Sequence, residues 1–266
     1  MEIMCLNGWG GKLYDQLLPY LTKQNPDILC LQEVVHTPAT EKEWLTYRDG
    51  NHVLPQRANF FQDVQTALPN HLGTFCPAAQ GVLWDENTEI PSQWGLATFV
   101  RRSYPIIAQL QGFVHKTYSP HNYGEHPRSR SAHAIRVFDY GKNKPVVVAH
   151  MHGLRDLNGK MDTPERARQA HKLVSFTNEL TENNDAVVVC GDFNVGPNSE
   201  TLKIMAEAGL TDLVTTRTSG GTRTSHYKKP GKYADYMLVN EQTNVVDFKV
   251  IFEPEVSDHC PLILTI

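Results

Sequence analysis

Short apolar runs of strand character alternate with longer stretches of helical period along the chain. Residues 3–6 make the first such run. A helix is predicted over 13–23, with Leu17, Leu18, Tyr20 and Leu21 on its apolar face. Asn25-Pro26-Asp27 ends it, because proline lacks a backbone donor and pushes its predecessor towards extended geometry. Residues 28–31 then read as a buried strand that stops at Gln32-Glu33. Between 36 and 91 neither period holds, so this is the stretch expected to be least regular. Short helices at 40–47 and 58–68 and a role in shaping a pocket rim are expected there. From Gly95 onward strands follow quickly, at 96–100, 106–114, 132–138 and 146–150, and turns such as Tyr140-Gly141-Lys142-Asn143 predict antiparallel neighbours. A long helix begins near Pro164 with Thr163 as its cap, and Ala170, Leu173, Val174, Thr177 and Leu180 supply a buried stripe. A strongly apolar strand at 186–190, a helix at 199–208 and strands at 236–239, 245–252 and 262–266 complete the series. This order predicts an α/β fold of two packed sheets with helices outside, in one domain over residues 1–266, since no linker or repeat interrupts it.

Composition narrows the function classes. With 266 residues, 40% hydrophobic and 20% charged, the chain is neither disordered nor membrane-spanning in character. Its formal charge of -4 offers no strong basic field for gripping long nucleic acid, although a local patch would not show in the total. A small or locally bound substrate is therefore expected. The five cysteines include no CxxC pair, and Cys5, Cys30 and Cys190 lie inside apolar runs. Buried, reduced thiols explain them better than a disulfide or zinc framework. No apolar run approaches membrane-spanning length and the start lacks the features of a signal peptide, which makes the cytoplasm the expected compartment. Nothing in the pattern speaks to the number of subunits.

Chemistry enters through the polar residues that end the apolar strands. Asn7 ends the first, Glu33 the second, His150 a third; Asp192 and Asn194 follow 187–190, Asp235 introduces 236–239, and Asp258-His259 precedes the last strand. Strand ends present side chains at one edge of a sheet, where sites are built. Singly, each is more often a solvated loop residue or a turn. Together they make a set of carboxylates, carboxamides and imidazoles without thiols, which suits Mg²⁺ or Mn²⁺ better than structural zinc.

The series Leu6-Asn7, Leu31-Gln32-Glu33, Ala149-His150, Gly191-Asp192-Phe193-Asn194, Tyr233-Ala234-Asp235-Tyr236 and Ser257-Asp258-His259 resembles the endonuclease/exonuclease/phosphatase superfamily. Pancreatic deoxyribonuclease, abasic-site endonucleases, inositol polyphosphate 5-phosphatases, neutral sphingomyelinases and tyrosyl-DNA phosphodiesterases belong to that group. Gly95-Leu96-Ala97 leading to Arg101-Arg102-Ser103-Tyr104-Pro105-Ile106 is similar to a further element of it. The resemblance implies a four-layered α/β sandwich, two packed mixed β-sheets flanked by helices, with the site at one edge of both sheets. It implies that Glu33 is the main metal ligand with Asn7 near the same ion and Asp258 on the metal side. Asp192 would orient or deprotonate the attacking water, and Asn194 would hold that water or a phosphate oxygen. His259, oriented by Asp235, would contact the scissile phosphate, as would His150. Such roles answer the chemistry: in-line attack on an anionic phosphoryl group needs a metal and cationic donors, and a His–Asp pair fixes one imidazole tautomer.

One departure concerns Val148-Ala149-His150-Met151, where relatives usually show Asn-Thr-His-Leu. His152 shares a strand face with His150 and is open to three roles: a second phosphate donor, a second metal contact, or a rim residue. Arg130, with Arg128, precedes a strand where relatives carry an arginine aimed at the site, against a solvated-loop reading. Arg223 and His226 lie in a polar, basic loop that could close over an anionic substrate; Lys228 and Lys229 in the same loop read as plainly exposed. Trp84, Trp94 and His115 are candidates for a pocket wall or for simple packing. The expected activity is metal-dependent hydrolysis of a phosphate ester, more a small diester than long duplex DNA, with a nuclease as the nearest rival. A non-catalytic module would be expected to lack at least one central residue, and none is missing; a zinc or thiol-redox protein finds no supporting Cys/His spacing.

Overall fold

The computed structural model describes residues 1–266. Its strands, in chain order, are β1 (Glu2–Asn7), β2 (Ile28–His36), β3 (Trp44–Asp49), β4 (His52–Arg57), β5 (His71–Asp85), β6 (Thr88–Arg101), β7 (Ile106–His115), β8 (Arg130–Asp139), β9 (Lys144–His152), β10 (Ala186–Asp192), β11 (Thr211–Asp212), β12 (Asp235–Val239), β13 (Asp247–Val250) and β14 (Leu262–Thr265). The α-helices are α1 (Tyr14–Gln24), α2 (Phe60–Ala67), α3 (Pro164–Leu180), α4 (Glu200–Glu207) and α5 (Leu213–Arg217). Eight strands form one mixed sheet in the order β13-β14-β1-β2-β6-β5-β3-β4, and six form the other in the order β11-β12-β10-β9-β8-β7.

Residue alternation explains how the layers stack. On β1 and β2, Ile3, Cys5, Ile28 and Cys30 face the second sheet and join its valines in the main core. Their alternates Met4, Leu6, Leu29 and Leu31 face outward and are covered by Leu17 and Leu21 of α1 and by Phe60 and Val64 of α2. Helix α3, capped by the Thr163 side chain on the Arg166 amide, lays Ala170 and Leu173 against the second sheet. The result is helix, sheet, sheet, helix: the four-layered sandwich. No helix is long and apolar enough to cross a membrane.

The region from 36 to 91 corrects the sequence reading. It holds β3, β4, α2, all of β5 and the start of β6, and β5 and β6 form a hairpin of 15 and 14 residues. The helix expected over 40–47 is instead strand β3 from Trp44. Gly73, Pro77, Gly81 and Pro91 lie inside these strands and read locally as breakers, but Pro77 sits at a bulge and cross-strand pairing carries the rest. Strand β13 is also shorter than the expected 245–252.

Candidate active site

Parallel pairing puts the polar strand ends level. β1 and β2 run together, with Asn7 opposite Gln32; β9 and β10 run together, with His152 opposite Asp192; antiparallel β12 sets Asp235 opposite Asp192. Asp258 and His259, which lead into β14, return to the same edge: Ser257 Oγ donates to the Asn7 carbonyl at 2.7 Å.

Local backbone aims each group. Glu33 would face the helix side with Leu29 and Leu31 if β2 alternated regularly. A bulge between Leu31 and Val34, with Glu33 at φ 55°, turns it into the cleft instead. A non-glycine residue in that region costs about 1–3 kcal/mol and persists where the surroundings impose it. Gly191 adopts φ 140°, and a Cβ there would lie 2.1 Å from the Met151 carbonyl oxygen, so only glycine lets β10 approach β9 closely enough to deliver Asp192.

Asp192 is the hub. Its Oδ2 accepts from Asn7 Nδ2 at 3.1 Å and lies 3.6 Å from His152 Nε2, 3.6 Å from His259 Nε2 and 3.9 Å from an Arg223 terminal nitrogen. Its Oδ1 accepts the Asn194 amide at 3.0 Å, and Asn194 Nδ2 stands 3.2 Å from His152 Nε2. His259 Nδ1 is 2.8 Å from both Asp235 oxygens, and Thr222 Oγ1 donates to Asp235 at 2.8 Å. Burial, then the Arg223 cation, presses His259 down to about 4, while burial lifts Asp235 to about 6. At neutral pH the pair is therefore a carboxylate and a neutral imidazole whose Nδ1–H points at Asp235, which fixes the tautomer.

Two half-buried acids, Glu33 and Asp258, crowd the opposite wall. Glu33 keeps 28% of its side chain exposed through the cleft, 3.9 Å from His152 Nε2. Burial, followed by the Asp258 and Asp192 charges, pushes it up to about 7. Asp258 accepts from Arg223 at 2.9 Å. A divalent cation fits this donor set, since carboxylate oxygens are hard ligands and the excess negative charge is what such an ion offsets. Asn7 stands beside these acids: its Nδ2 donates to Asp192 and its Oδ1 accepts the Trp9 amide at 3.0 Å. Asp192, Asp235 and His259 also lie within 4.8 Å of one another, but His259 Nδ1 is already committed to Asp235, and that trio reads as a proton-handling chain.

Other expected residues fall at graded distances. Arg130 is buried; its Nε donates to the Gly153 carbonyl at 2.9 Å and its guanidinium lies 4.9 Å from the Trp94 ring centroid, beside Glu33 and Asp192. Burial lowers it only to about 10, so it stays cationic. Arg128 is bound to Tyr47 and Asp49 on a far wall. His226 sits on the rim against Glu255 at 3.5 Å and does not reach the centre. Lys228 and Lys229 are exposed. Trp94 lines the cleft, whereas Trp84 packs under Arg48 and His115 lies elsewhere. Two cations escaped the sequence reading, Arg155 in the cleft and Lys160 beside Asp192 and Asp235. Both come from the loop after β9, which carries no periodic signal.

His150 is the correction with a physical cause. It lies opposite Cys190, two residues short of the edge, and β9 carries His152 there instead. Its ring is sealed between the sheets: Gln32 Nε2 lies 3.2 Å from Nδ1, Thr98 Oγ1 2.8 Å from Nε2, and Thr98 Oγ1 in turn 2.7 Å from His133 Nδ1. Burial lowers His150 to about 3 and His133 to about 4. Their stabilisation is complete above the ordinary histidine range and is lost as pH falls, because the unfolded chain takes up protons that the buried rings refuse. His150→Gln removes one such ring and keeps an acceptor for Gln32 and a donor for Thr98. Relative to wild type, the variant is expected to gain about 2 kcal/mol of stability between about pH 7.5 and about pH 5. Urea unfolding at the two pH values measures it, and a difference that does not move with pH contradicts the neutral, sealed ring.

Residues 5–259 match the family described as Endonuclease/Exonuclease/phosphatase. Among solved structures, the mannosyl-6-phosphatase of Bacteroides thetaiotaomicron aligns with TM-score 0.68 at 14% identity, covering 100% of this chain and 98% of that one. The human Nocturnin catalytic domain with bound sulfate gives 0.66 at 20% identity, covering 99% and 92%. TDP2 of D. rerio, complexed with single-strand DNA product, gives 0.65 at 14% identity, covering 99% and 97%. At these identities the likeness is one of fold. No curated protein matches the chain.

Proposed function

Since the chain belongs to the endonuclease/exonuclease/phosphatase family, we propose that it is a divalent-metal-dependent hydrolase of phosphate esters, acting on a small soluble phosphodiester or monoester. The observation that carries this reading is Asp192 Oδ2, held by Asn7 and faced by His152, His259 and Arg223, at the edge where both sheets end. One shared core across both sheets supports a single domain over 1–266. Five buried free thiols support a reducing compartment, the cytoplasm.

Glu33 and Asp258 would hold Mg²⁺ or Mn²⁺, with Asn7, whose Nδ2 donates to Asp192, near the same ion. The ion supplies Lewis-acid stabilisation of the phosphoryl oxygens. Asp192, aligned by the Asn194 amide, takes a proton from the attacking water. Asn194 Nδ2 points into the same space and orients that water or an equatorial oxygen. Arg130 and Arg223 supply fixed positive charge where charge accumulates, in a low-dielectric wall. His259 enters neutral. An arriving anion favours its protonated form, and Asp235 then stabilises the imidazolium as Nε2 donates to the phosphoryl group.

A substrate panel with Mg²⁺ or Mn²⁺ tests the reading: bis-p-nitrophenyl phosphate, p-nitrophenyl phosphate, plasmid, single-stranded DNA, RNA, sphingomyelin and inositol phosphates. Hydrolysis of the small esters, abolished by EDTA and restored by either ion, is the expected result. A nuclease is the rival reading, and faster cleavage of DNA or RNA than of any small ester would establish it.

A further inference from the structure

A pocket of about 400 Å³ opens directly off the catalytic edge. Glu33, Arg130 and His152 belong both to its inner end and to the centre described above. Its side walls come from elements that the catalytic chemistry does not use: the β3–β4 hairpin, β5 and β6, and the loop between β7 and β8. The volume lies within the ~300–1,000 Å³ of small-molecule sites, enough for one ring-bearing group and too little for a folded run of nucleotides.

The lining has two characters. Trp94, Tyr47, Tyr123, Leu54 and Leu83 offer aromatic and aliphatic faces. The far end is polar and already pre-set: Asp49 Oδ2 accepts from Tyr47 Oη at 3.0 Å and from Arg128 at 2.9 Å. The Arg128 guanidinium is 5.8 Å and 5.7 Å from the Tyr47 and Tyr123 ring centroids, which holds it in place. Two polar atoms there are left over. Asp49 Oδ1 accepts from no protein group, although the side chain is 44% exposed, and buried Arg128 Nε has no partner. Such a pre-ordered carboxylate suits hydroxyl donors, and aromatic faces suit the C–H faces of a sugar or the plane of a base. A long apolar chain would cover Asp49 Oδ1 and Arg128 Nε without giving either a partner.

We propose that this pocket selects the organic group of the substrate, a single ring-bearing, hydroxyl-rich group (a sugar, free or within a nucleoside) esterified to the phosphate held beside Glu33, Arg130 and His152. The assignment rests on the phosphoesterase reading. It makes the substrate a small metabolite-sized ester, with Asp49 reading hydroxyls and Trp94 and Tyr47 bounding the ring. Arg155, exposed and without an ion pair, also lines the pocket and offers a cation to a further anionic group.

The test compares kcat/KM for ringless esters (methyl and glycerol phosphate), a hexose 6-phosphate, nucleoside 5′- and 2′,3′-cyclic phosphates, and a short single-stranded oligonucleotide. Wild type is expected to prefer a ring ester over the ringless ones by at least about tenfold, and the preferred arm tells sugar from nucleoside. Asp49→Asn and Leu54→Trp, the second filling the pocket from an edge strand, are each expected to cut the ring-to-ringless ratio at least about tenfold, mainly through KM. Melting temperatures within a few degrees of wild type show that both variants fold. Equal preference in wild type or an unchanged ratio in both variants overturns the pocket assignment alone; an oligonucleotide cleaved better than any small ester overturns it together with the small-substrate reading, in favour of a nuclease. Silence on every ester with Mg²⁺ and Mn²⁺ present removes the phosphoesterase reading as well.

Discussion

Asp192→Asn is expected to lower kcat on the small ester by ~10³-fold, within the ~10²–10⁴ that a positioned general base contributes. The side chain is buried at the hub of the site, and the substitution changes its charge with almost no change of volume. Folding is expected to survive. Asp192 shares its neighbourhood with Glu33 and is one of the charges that raise the Glu33 carboxyl, so removing it relieves repulsion among the acids. The melting temperature without added metal should therefore be equal to or above that of wild type, as is common where a site keeps crowded charge for function. Steady-state kinetics beside a thermal melt separates the outcomes. Unchanged kcat would remove Asp192 from the proton transfer; a large loss of stability would make it a structural residue.

Glu33→Gln is expected to abolish the response to divalent ions, read without reference to turnover. A ligand present at 100 times its Kd adds about 2.7 kcal/mol to the folded state, worth about 5 °C or more in a chain of this size. Saturating Mg²⁺ or Mn²⁺ should raise the wild-type melting temperature by that amount and leave the variant near its starting value. Activity should fall to the level of the EDTA-treated wild type. A variant that still melts higher with metal would place the ion elsewhere, for instance at the Asp192, Asp235 and His259 trio.

Much of this site is legible in the sequence. Asn7, Asp192, Asn194, Asp235, Asp258 and His259 each lie at or just beyond the end or start of an apolar run, and a residue at a strand terminus reaches the sheet edge whatever the strand order, whereas Glu33 lies inside β2 and needed the bulge. The capped start of α3 was equally local, because Thr163 and Pro164 act on the backbone beside them. The register of the third strand end was not. His150 and His152 share one face, and only pairing to β10 decides which stands level with Asp192.

What the sequence determined by itself, then, is the alternation of strands and helices, the chemical identity of the donors at the strand ends, and the likeness to one family. Tertiary structure alone decided what depends on distant pairing: the bulge that swings Glu33 into the cleft, the sealing of His150 between Gln32 and Thr98, and the long β5–β6 hairpin, whose glycines and prolines read locally as turns. The pocket belongs to the same class. Its walls come from segments up to about 120 residues apart in the chain, from Glu33 to Arg155, and no short-range period can encode a volume that exists only once the hairpin and loops are folded against the sheet edge.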